Sequence, residues 1–309
     1  MIIGKSRIQS VSLKGGENMP FIINPEKCAV CGTCIGNCPN QAIVRRGDNV
    51  YITVMCCDCG LCVKHCGMNA IEPGKEKAEF DVKKLDAALK KSLSLKKNIV
   101  AVKYADKAPD GISKEEGLSF WCHACGDVFK EDVEPLFFTA KNSTCAGSSS
   151  LGLGTRETTK EDYNMMIESM VVGDGGYFAS KELLTIGRKY FPKYNKVHAG
   201  MVIGSLDKVK MPDVVLIPVN GKQMCMLSTA YSFDTGEIVD GKAGGGTCLG
   251  TIPISFLENR PVFSCGDYGG RLHMRLDDEE IIAAFPFKLL SGLVMNLGRT
   301  VFTREASLT

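Results

Sequence analysis

The chain contains CAVCGTCIGNC at residues 28–38 and, 28 positions further on, CCDCGLCVKHC at residues 56–66. Both stretches have the spacing C-x2-C-x2-C-x3-C, and the same displacement carries Ala42-Ile43 onto Ala70-Ile71. Because similarity at a fixed displacement indicates an internal repeat, the two stretches are copies of one unit. The cysteines of the pattern are Cys28, Cys31, Cys34, Cys38, Cys56, Cys59, Cys62 and Cys66.

This spacing is the one that binds a cubane iron–sulfur cluster through three thiolates of one short loop. Such a loop cannot reach the fourth corner of the cube, so the fourth cysteine of each copy binds the cluster held by the other copy. The sequence therefore predicts two [4Fe–4S] clusters with crossed ligands. One cluster is bound by Cys28, Cys31, Cys34 and Cys66, and its partner by Cys56, Cys59, Cys62 and Cys38.

Zinc is the alternative for any C-x2-C pair, but a zinc site uses four ligands and rarely needs this nested triple. Cys57 fits neither spacing, and we interpret it as a non-ligand. The repetition of the whole eight-cysteine pattern in register favours clusters over zinc.

Residues 21–74 resemble the bacterial-type ferredoxin with two [4Fe–4S] clusters. Pro39 follows the last cysteine of the first copy, as in that family, whereas Gly67 stands where the second proline is usual. Glycine still permits a sharp turn. The resemblance implies a small electron-transfer domain, and the balanced charges around its cysteines favour an internal relay that serves its own chain or a tight partner.

Composition sets further limits. With 309 residues, a net charge of +2 and 44% hydrophobic residues, the chain is expected to be a globular protein without a basic surface for nucleic acid. No apolar run approaches the ~20 residues of a membrane-spanning helix, and residues 1–20 lack the apolar core of a signal peptide. Cysteines in cluster spacing without an export signal favour a reducing cytoplasm. We also expect an anaerobic host, because exposed low-potential clusters are oxygen-sensitive.

We divide the chain into a lead-in at 1–20, a two-cluster ferredoxin domain at 21–74 and a larger domain at 75–309. The expected fold class is α+β, with a small ferredoxin-like domain and a larger mixed α/β domain, because helical periodicity alternates with short apolar runs. Acidic residues 277–280 precede an apolar run, which favours a helix start. Helices are predicted from residue 81, from Thr158, over 281–284 and over 288–296, and strands over 99–102 and 214–219.

Six cysteines lie outside the repeat, and we interpret Cys225 as an ordinary thiol that packs as a small hydrophobic group. Glycines follow several of the others, where they let backbone N–H groups approach a sulfur closely. The prediction is a third metal or cluster site; the alternative is buried thiols that pack as small hydrophobic groups. The candidates for this third centre are Cys122, Cys125, Cys145, Cys248 and Cys265.

Other polar groups have two interpretations each. Glycine-rich loops at 148–154, 173–176 and 241–247 match no nucleotide-binding motif, and they suit an anionic ligand or plain turns equally well. Arg271 suits a bidentate clamp on a carboxylate or phosphate, or an internal pair with Asp267. The three histidines outside the cysteine repeat are interpreted as structural or surface residues; they are His123, His198 and His273.

Residues 81–300 resemble the uncharacterised DUF169 family. The resemblance rests on CAGSSSLGLG from residue 145, PDVV from residue 212, CGDYGGR from residue 265 and the pair Pro286-Phe287. It implies a domain of anaerobic archaea and bacteria that is sometimes fused to ferredoxin modules and has no assigned reaction. It also implies cysteines near the positions of Cys122, Cys145, Cys248 and Cys265.

Two hypotheses about function follow. In the first, the ferredoxin domain passes electrons to or from a site in the larger domain, which makes the chain an oxidoreductase or a subunit of one. In the second, the larger domain is a non-catalytic ligand-binding or assembly module, and the chain is an electron carrier or redox sensor for a larger enzyme. The expected partners are a redox protein or a small-molecule substrate, and we expect a homo-oligomer.

Overall fold

The computed structural model describes most of the two predicted domains, with gaps. The described residues are 21–39, 42–46, 48–52, 56, 59–74, 82–115, 121–139, 151–153, 178–187, 189, 198–239, 247–266 and 268–297. The lead-in, the helix predicted from Thr158, Cys57, Cys145 and Asp267 lie outside these ranges. Helices and strands both occur in quantity, so the predicted α+β class is confirmed.

The N-terminal unit is built from two similar halves. Each half has one short helix, and the halves are joined by strand pairing at both ends. Strand β1 pairs antiparallel with β4, and β2 with β3. The elements are β1 (Phe21–Ile23), α1 (Thr33–Gly36), β2 (Ile43–Arg46), β3 (Asn49–Ile52), α2 (Leu61–Lys64) and β4 (Ile71–Pro73).

Glycine begins both short helices. Gly32 precedes α1 with φ of 78°, and Gly60 precedes α2 with φ of 68°. Residues with a side chain rarely adopt this left-handed conformation, so each glycine lets the chain turn sharply between its second and third cysteine. The third cysteines, Cys34 and Cys62, are buried at the same position in each helix.

The larger domain is a three-layer structure around one mixed sheet. Its described elements are α3 (Val82–Leu93), β5 (Val100–Ala105), β6 (Ser113–Glu115), α4 (Trp121–Lys130), β7 (Leu136–Thr139), α5 (Lys181–Gly187), β8 (Gly200–Ser205), β9 (Val214–Val219), α6 (Gly221–Thr235), a π-helix (Thr247–Thr251), α7 (Ile252–Glu258), β10 (Val262–Ser264), α8 (Tyr268–His273), β11 (Ile281–Pro286), a 3-10 turn (Phe287–Leu289) and α9 (Leu290–Leu297). The strand order is β10-β11-β9-β5-β8-β7-β6. Every pair is antiparallel except β6 with β7.

Side chains alternate between the two faces of the sheet, as strand geometry requires. On β5, Ala101 joins the core on one face and Val102 the core on the other. Helices α3, α6 and α9 cover the first face, which we call the α6 face. Helices α4 and α7 cover the second, which we call the α4 face. The central strands are therefore apolar on both sides.

The helix predicted over 281–284 is wrong, because these residues form β11 between β9 and β10. A strand covered on both faces is continuously apolar and lacks the alternation that identifies a half-buried strand. The acidic residues before it form a turn, and Glu280 pairs there with Lys97. The helix predicted from residue 81 corresponds to α3, and the predicted strands correspond to β5 and β9.

The N-terminal unit packs on the α6 face of the larger domain. Ala42 is 1% exposed and belongs to the same buried cluster as Leu227 and Tyr231 of α6. Cys56 joins that cluster, and Phe21 packs against it. Among the helices of the described residues, none is long and apolar enough to cross a membrane.

Candidate iron–sulfur centres

Two cavities lie in the N-terminal unit, and four cysteines line each of them. One cavity is lined by Cys28, Cys31, Cys34 and Cys66 together with neighbours such as Met68 and Val50. The other is lined by Cys38, Cys56, Cys59 and Cys62 together with Phe21 and Ile52. The cavities thus separate eight cysteines into the two sets that the crossed pattern requires. Their role as cluster ligands stays a prediction.

The two cavities differ in their surroundings. Several residues that line the second cavity also belong to, or pack against, the core of the larger domain; they are Phe21, Cys38, Ala42, Ile52 and Cys56. We call it the proximal cavity. The first cavity shares no lining residue with that core, so we call it the distal cavity. Its rim is open to solvent at Met68, which is 53% exposed.

Backbone N–H groups point at the same sulfur in each half. The Ala42 N–H donates to Cys38 Sγ at 3.2 Å, and the Ala70 N–H donates to Cys66 Sγ at 3.3 Å. Such hydrogen bonds stabilise the charged form of a sulfur. They therefore fit thiolates that bind a metal cluster.

Burial acts in the opposite direction on the third cysteines. It raises the pKa of Cys34, and it raises the pKa of Cys62 to about 11, with the nearby Cys56 as a smaller cause. A thiol in this position becomes a thiolate when a bound cation compensates the charge, because coordination deprotonates the sulfur outright. At the rim, the hydroxyl of Thr33 lowers the pKa of Cys31 through a hydrogen bond.

Among the described residues, no three Cys, His, Asp or Glu side chains form a group that could hold a single metal ion. The cysteine-lined cavities are compatible with this finding. Thiolates on a cubane bind four different irons, so they lie further apart than the ligands of one ion. The donor set and the cavities together fit [4Fe–4S] clusters.

Three of the other candidate cysteines lie across the sheet from the N-terminal unit. Cys122 and Cys125 are buried on α4, and Cys248 packs against the same α4-face cluster. Cys265 is exposed after β10. Burial is the main cause that raises the pKa of Cys125 well above its usual value. The structure therefore brings three of the five candidates to one core, while Cys145 lies outside the described residues.

Arg271 binds the chain around it and not a ligand site. Its guanidinium donates to the carbonyl oxygens of Cys265, Asp277, Asp278 and Glu280 at 2.7–3.1 Å. These bonds occupy both terminal nitrogens, so the proposed clamp on a carboxylate or phosphate is not supported. Arg271 instead holds the loop between β10 and β11 in place.

A histidine pair between α4 and α8 was not predicted from the sequence. His123 Nε2 and His273 Nδ1 lie 2.5 Å apart, and the rings meet edge to face. One imidazole must donate and the other accept, so this hydrogen bond cannot form between two charged rings. No spacing signal could have revealed it, because the two residues are 150 positions apart.

The His123–His273 pair predicts that the folded protein loses stability in acid. Partial burial, and then the positive charge of His273, lower the pKa of His123; Asp127 opposes them and Arg275 adds to them. The unfolded chain therefore binds more protons than the folded one near the ordinary histidine value of 6.5. Stability is expected to fall as the pH is lowered from 7.5 to about 5.5. Urea unfolding at both pH values should give a shallower loss for His123→Gln than for the unchanged chain; parallel losses would contradict the expectation.

A second group missed by sequence analysis lies at one end of the sheet. His198 Nδ1 is 3.2 Å from Asp106 Oδ1, and its ring packs near Tyr104 and Phe256. The Tyr104 N–H donates to Asp213 Oδ2 at 2.8 Å. Burial raises the pKa of Asp213. Antiparallel pairing brings the end of β5 beside the starts of β8 and β9 and so assembles this group.

Comparison with known families gives two matches. Residues 88–296 match the model of DUF169, described as an uncharacterised ArCR. Residues 21–44 match the model of a 4Fe-4S binding domain, and this match covers the first of the two cysteine repeats. No curated protein and no solved structure matches the chain significantly.

Proposed function

We propose a function for the chain, which belongs to the DUF169 family and carries a 4Fe-4S binding domain on the N-terminal side of the DUF169 domain. It is an iron–sulfur electron-transfer protein with one [4Fe–4S] cluster in each cavity. A cluster of this kind accepts and releases one electron at a potential set by its surroundings. The distal cavity would hold its cluster through Cys28, Cys31, Cys34 and Cys66. The proximal cavity would use Cys38, Cys56, Cys59 and Cys62.

One observation carries the proposal: the two four-cysteine cavities have different neighbours. The distal cavity opens to solvent beside Met68 and Cys31, where a redox partner can approach. Cys59 of the proximal cavity is exposed as well, but Ala42 and Cys56, which line this cavity, belong to the core of the DUF169 domain. This arrangement supports a relay between an outside partner and the DUF169 domain.

The inner end of such a relay lies on the α6 face. The sheet separates it from Cys122, Cys125 and Cys248, which join the core on the α4 face. Because the sheet lies between the two groups, these thiols do not adjoin the proximal cavity. Their position favours the second hypothesis, in which the DUF169 domain is a ligand-binding or assembly module and its buried thiols are part of its core.

Reversible reduction tests the proposal. Protein purified without air should be bleached by dithionite, should give electron paramagnetic resonance signals of reduced [4Fe–4S] centres, and should regain its colour on reoxidation. Cys265→Ser should leave these signals unchanged, because Cys265 lies outside both cavities. Native protein that binds iron but cannot be reduced and reoxidised would contradict an electron-transfer role. Co-purification with a dehydrogenase or reductase at fixed stoichiometry would support the module hypothesis for the second domain.

A further inference from the structure

The internal repeat allows the two cavities to be compared position by position. Thr33 Oγ1 lies 3.4 Å from Cys31 Sγ at the rim of the distal cavity. The displacement of 28 positions carries Thr33 onto Leu61 and Cys31 onto Cys59. A leucine side chain has no hydrogen-bonding group, so this contact has no counterpart at the proximal cavity.

The backbone contacts to sulfur do not differ in this way. Ala42 donates to Cys38 of the proximal set at 3.2 Å, and Ala70 donates to Cys66 of the distal set at 3.3 Å. This N–H bond is therefore equivalent in the two cavities. The distal set also has the hydroxyl of Thr33 as a donor, which the counterpart Leu61 cannot supply.

The difference in exposure to water, like the Thr33 hydroxyl, favours added negative charge at the distal cavity. Cys56 of the proximal set is 8% exposed and joins the apolar core, whereas its counterpart Cys28 is half-buried. Reduction adds negative charge, and a less hydrated, apolar surrounding makes added charge more costly. A hydroxyl that donates to a thiolate stabilises added negative charge.

We propose that Thr33 raises the reduction potential of the distal centre above that of the proximal centre, so that a single electron on the chain resides on the solvent-facing side. The inference rests on the proposed function, since it requires a cluster in each cavity. It also assigns the downhill direction within the chain, which runs from the proximal centre to the distal centre.

The test is a redox titration followed by electron paramagnetic resonance on the full-length protein. Thr33→Val keeps the shape of the side chain and removes the hydroxyl. We expect it to lower the distal potential and leave the proximal one unchanged, with about a tenfold shift in the distribution of one electron between the centres, or about 59 mV. Leu61→Thr is the matched variant in the second repeat, and it should raise the proximal potential.

Iron content separates the possible failures. If the variants and the native protein each retain about eight irons but the two potentials are equal, or if Thr33→Val shifts both equally, the inference is wrong and the proposed function stands. If the native protein binds no clusters, the proposed function itself fails. A distal potential below the proximal one would also overturn the inference.

Discussion

Cys66→Ser is expected to abolish cluster binding in the distal cavity, although Cys66 belongs to the second cysteine repeat. Cys66 lines the same cavity as Cys28, Cys31 and Cys34, and a cubane needs a ligand at each of its four irons. Cys38→Ser should have the reciprocal effect on the proximal cavity. Each variant is expected to lose about half of its iron, measured by metal analysis together with electron paramagnetic resonance.

Cys225→Ser is the matched control, because Cys225 is a half-buried thiol of α6 that lines neither cavity. It should retain the full iron content and both signals. If Cys66→Ser removed the signal that Cys56→Ser also removes, the ligands would follow the repeats and would not be crossed. That outcome would contradict the assignment drawn from the cavities.

Gly126→Ala is expected to destabilise the DUF169 domain strongly. A Cβ atom at Gly126 would lie 2.2 Å from the carbonyl oxygen of His273 and 3.1 Å from the Cα of Met274. Both are backbone atoms, so α8 would have to move away from α4. Overpacking of this kind costs about 1–3 kcal/mol or more, and chemical unfolding would measure it.

Gly221→Ala is the control, since nothing lies within 4 Å of a Cβ at the first residue of α6. It should leave stability unchanged or raise it slightly, because alanine restricts the unfolded chain. Equal stability of the two variants would mean that α4 and α8 are not in the close contact described above.

The repeat of the N-terminal unit could be predicted from sequence, because cluster chemistry dictates the cysteine spacing, whereas its short strands and helices were not predicted. Three cysteines on one loop and a fourth on the other repeat leave few possible folds, and the 28-residue displacement recurs in Gly32 and Gly60. The predicted fusion of a 4Fe-4S binding domain with a DUF169 domain is confirmed. The count of two clusters and the domain boundaries stay predictions.

The larger domain could be predicted only in part, because its sites are assembled by pairing between distant segments. His123 meets His273, and Asp106 meets His198, only when the sheet and its helices have formed. Ile281–Pro286 has no alternation because both faces of its strand are covered. The position of Cys122 and Cys125 on the face away from the proximal cavity also depends on topology. No local pattern encodes these relations.

The iron and acid-labile sulfide content of protein isolated without air tests the central claim most directly. Two cubanes bound by eight crossed cysteines predict about eight irons and eight sulfides per chain. About twelve of each would add a third cubane and revive the site around Cys122, Cys125, Cys145, Cys248 and Cys265. Zinc without iron, or about four irons per chain, would contradict the assignment of a cluster to each cavity.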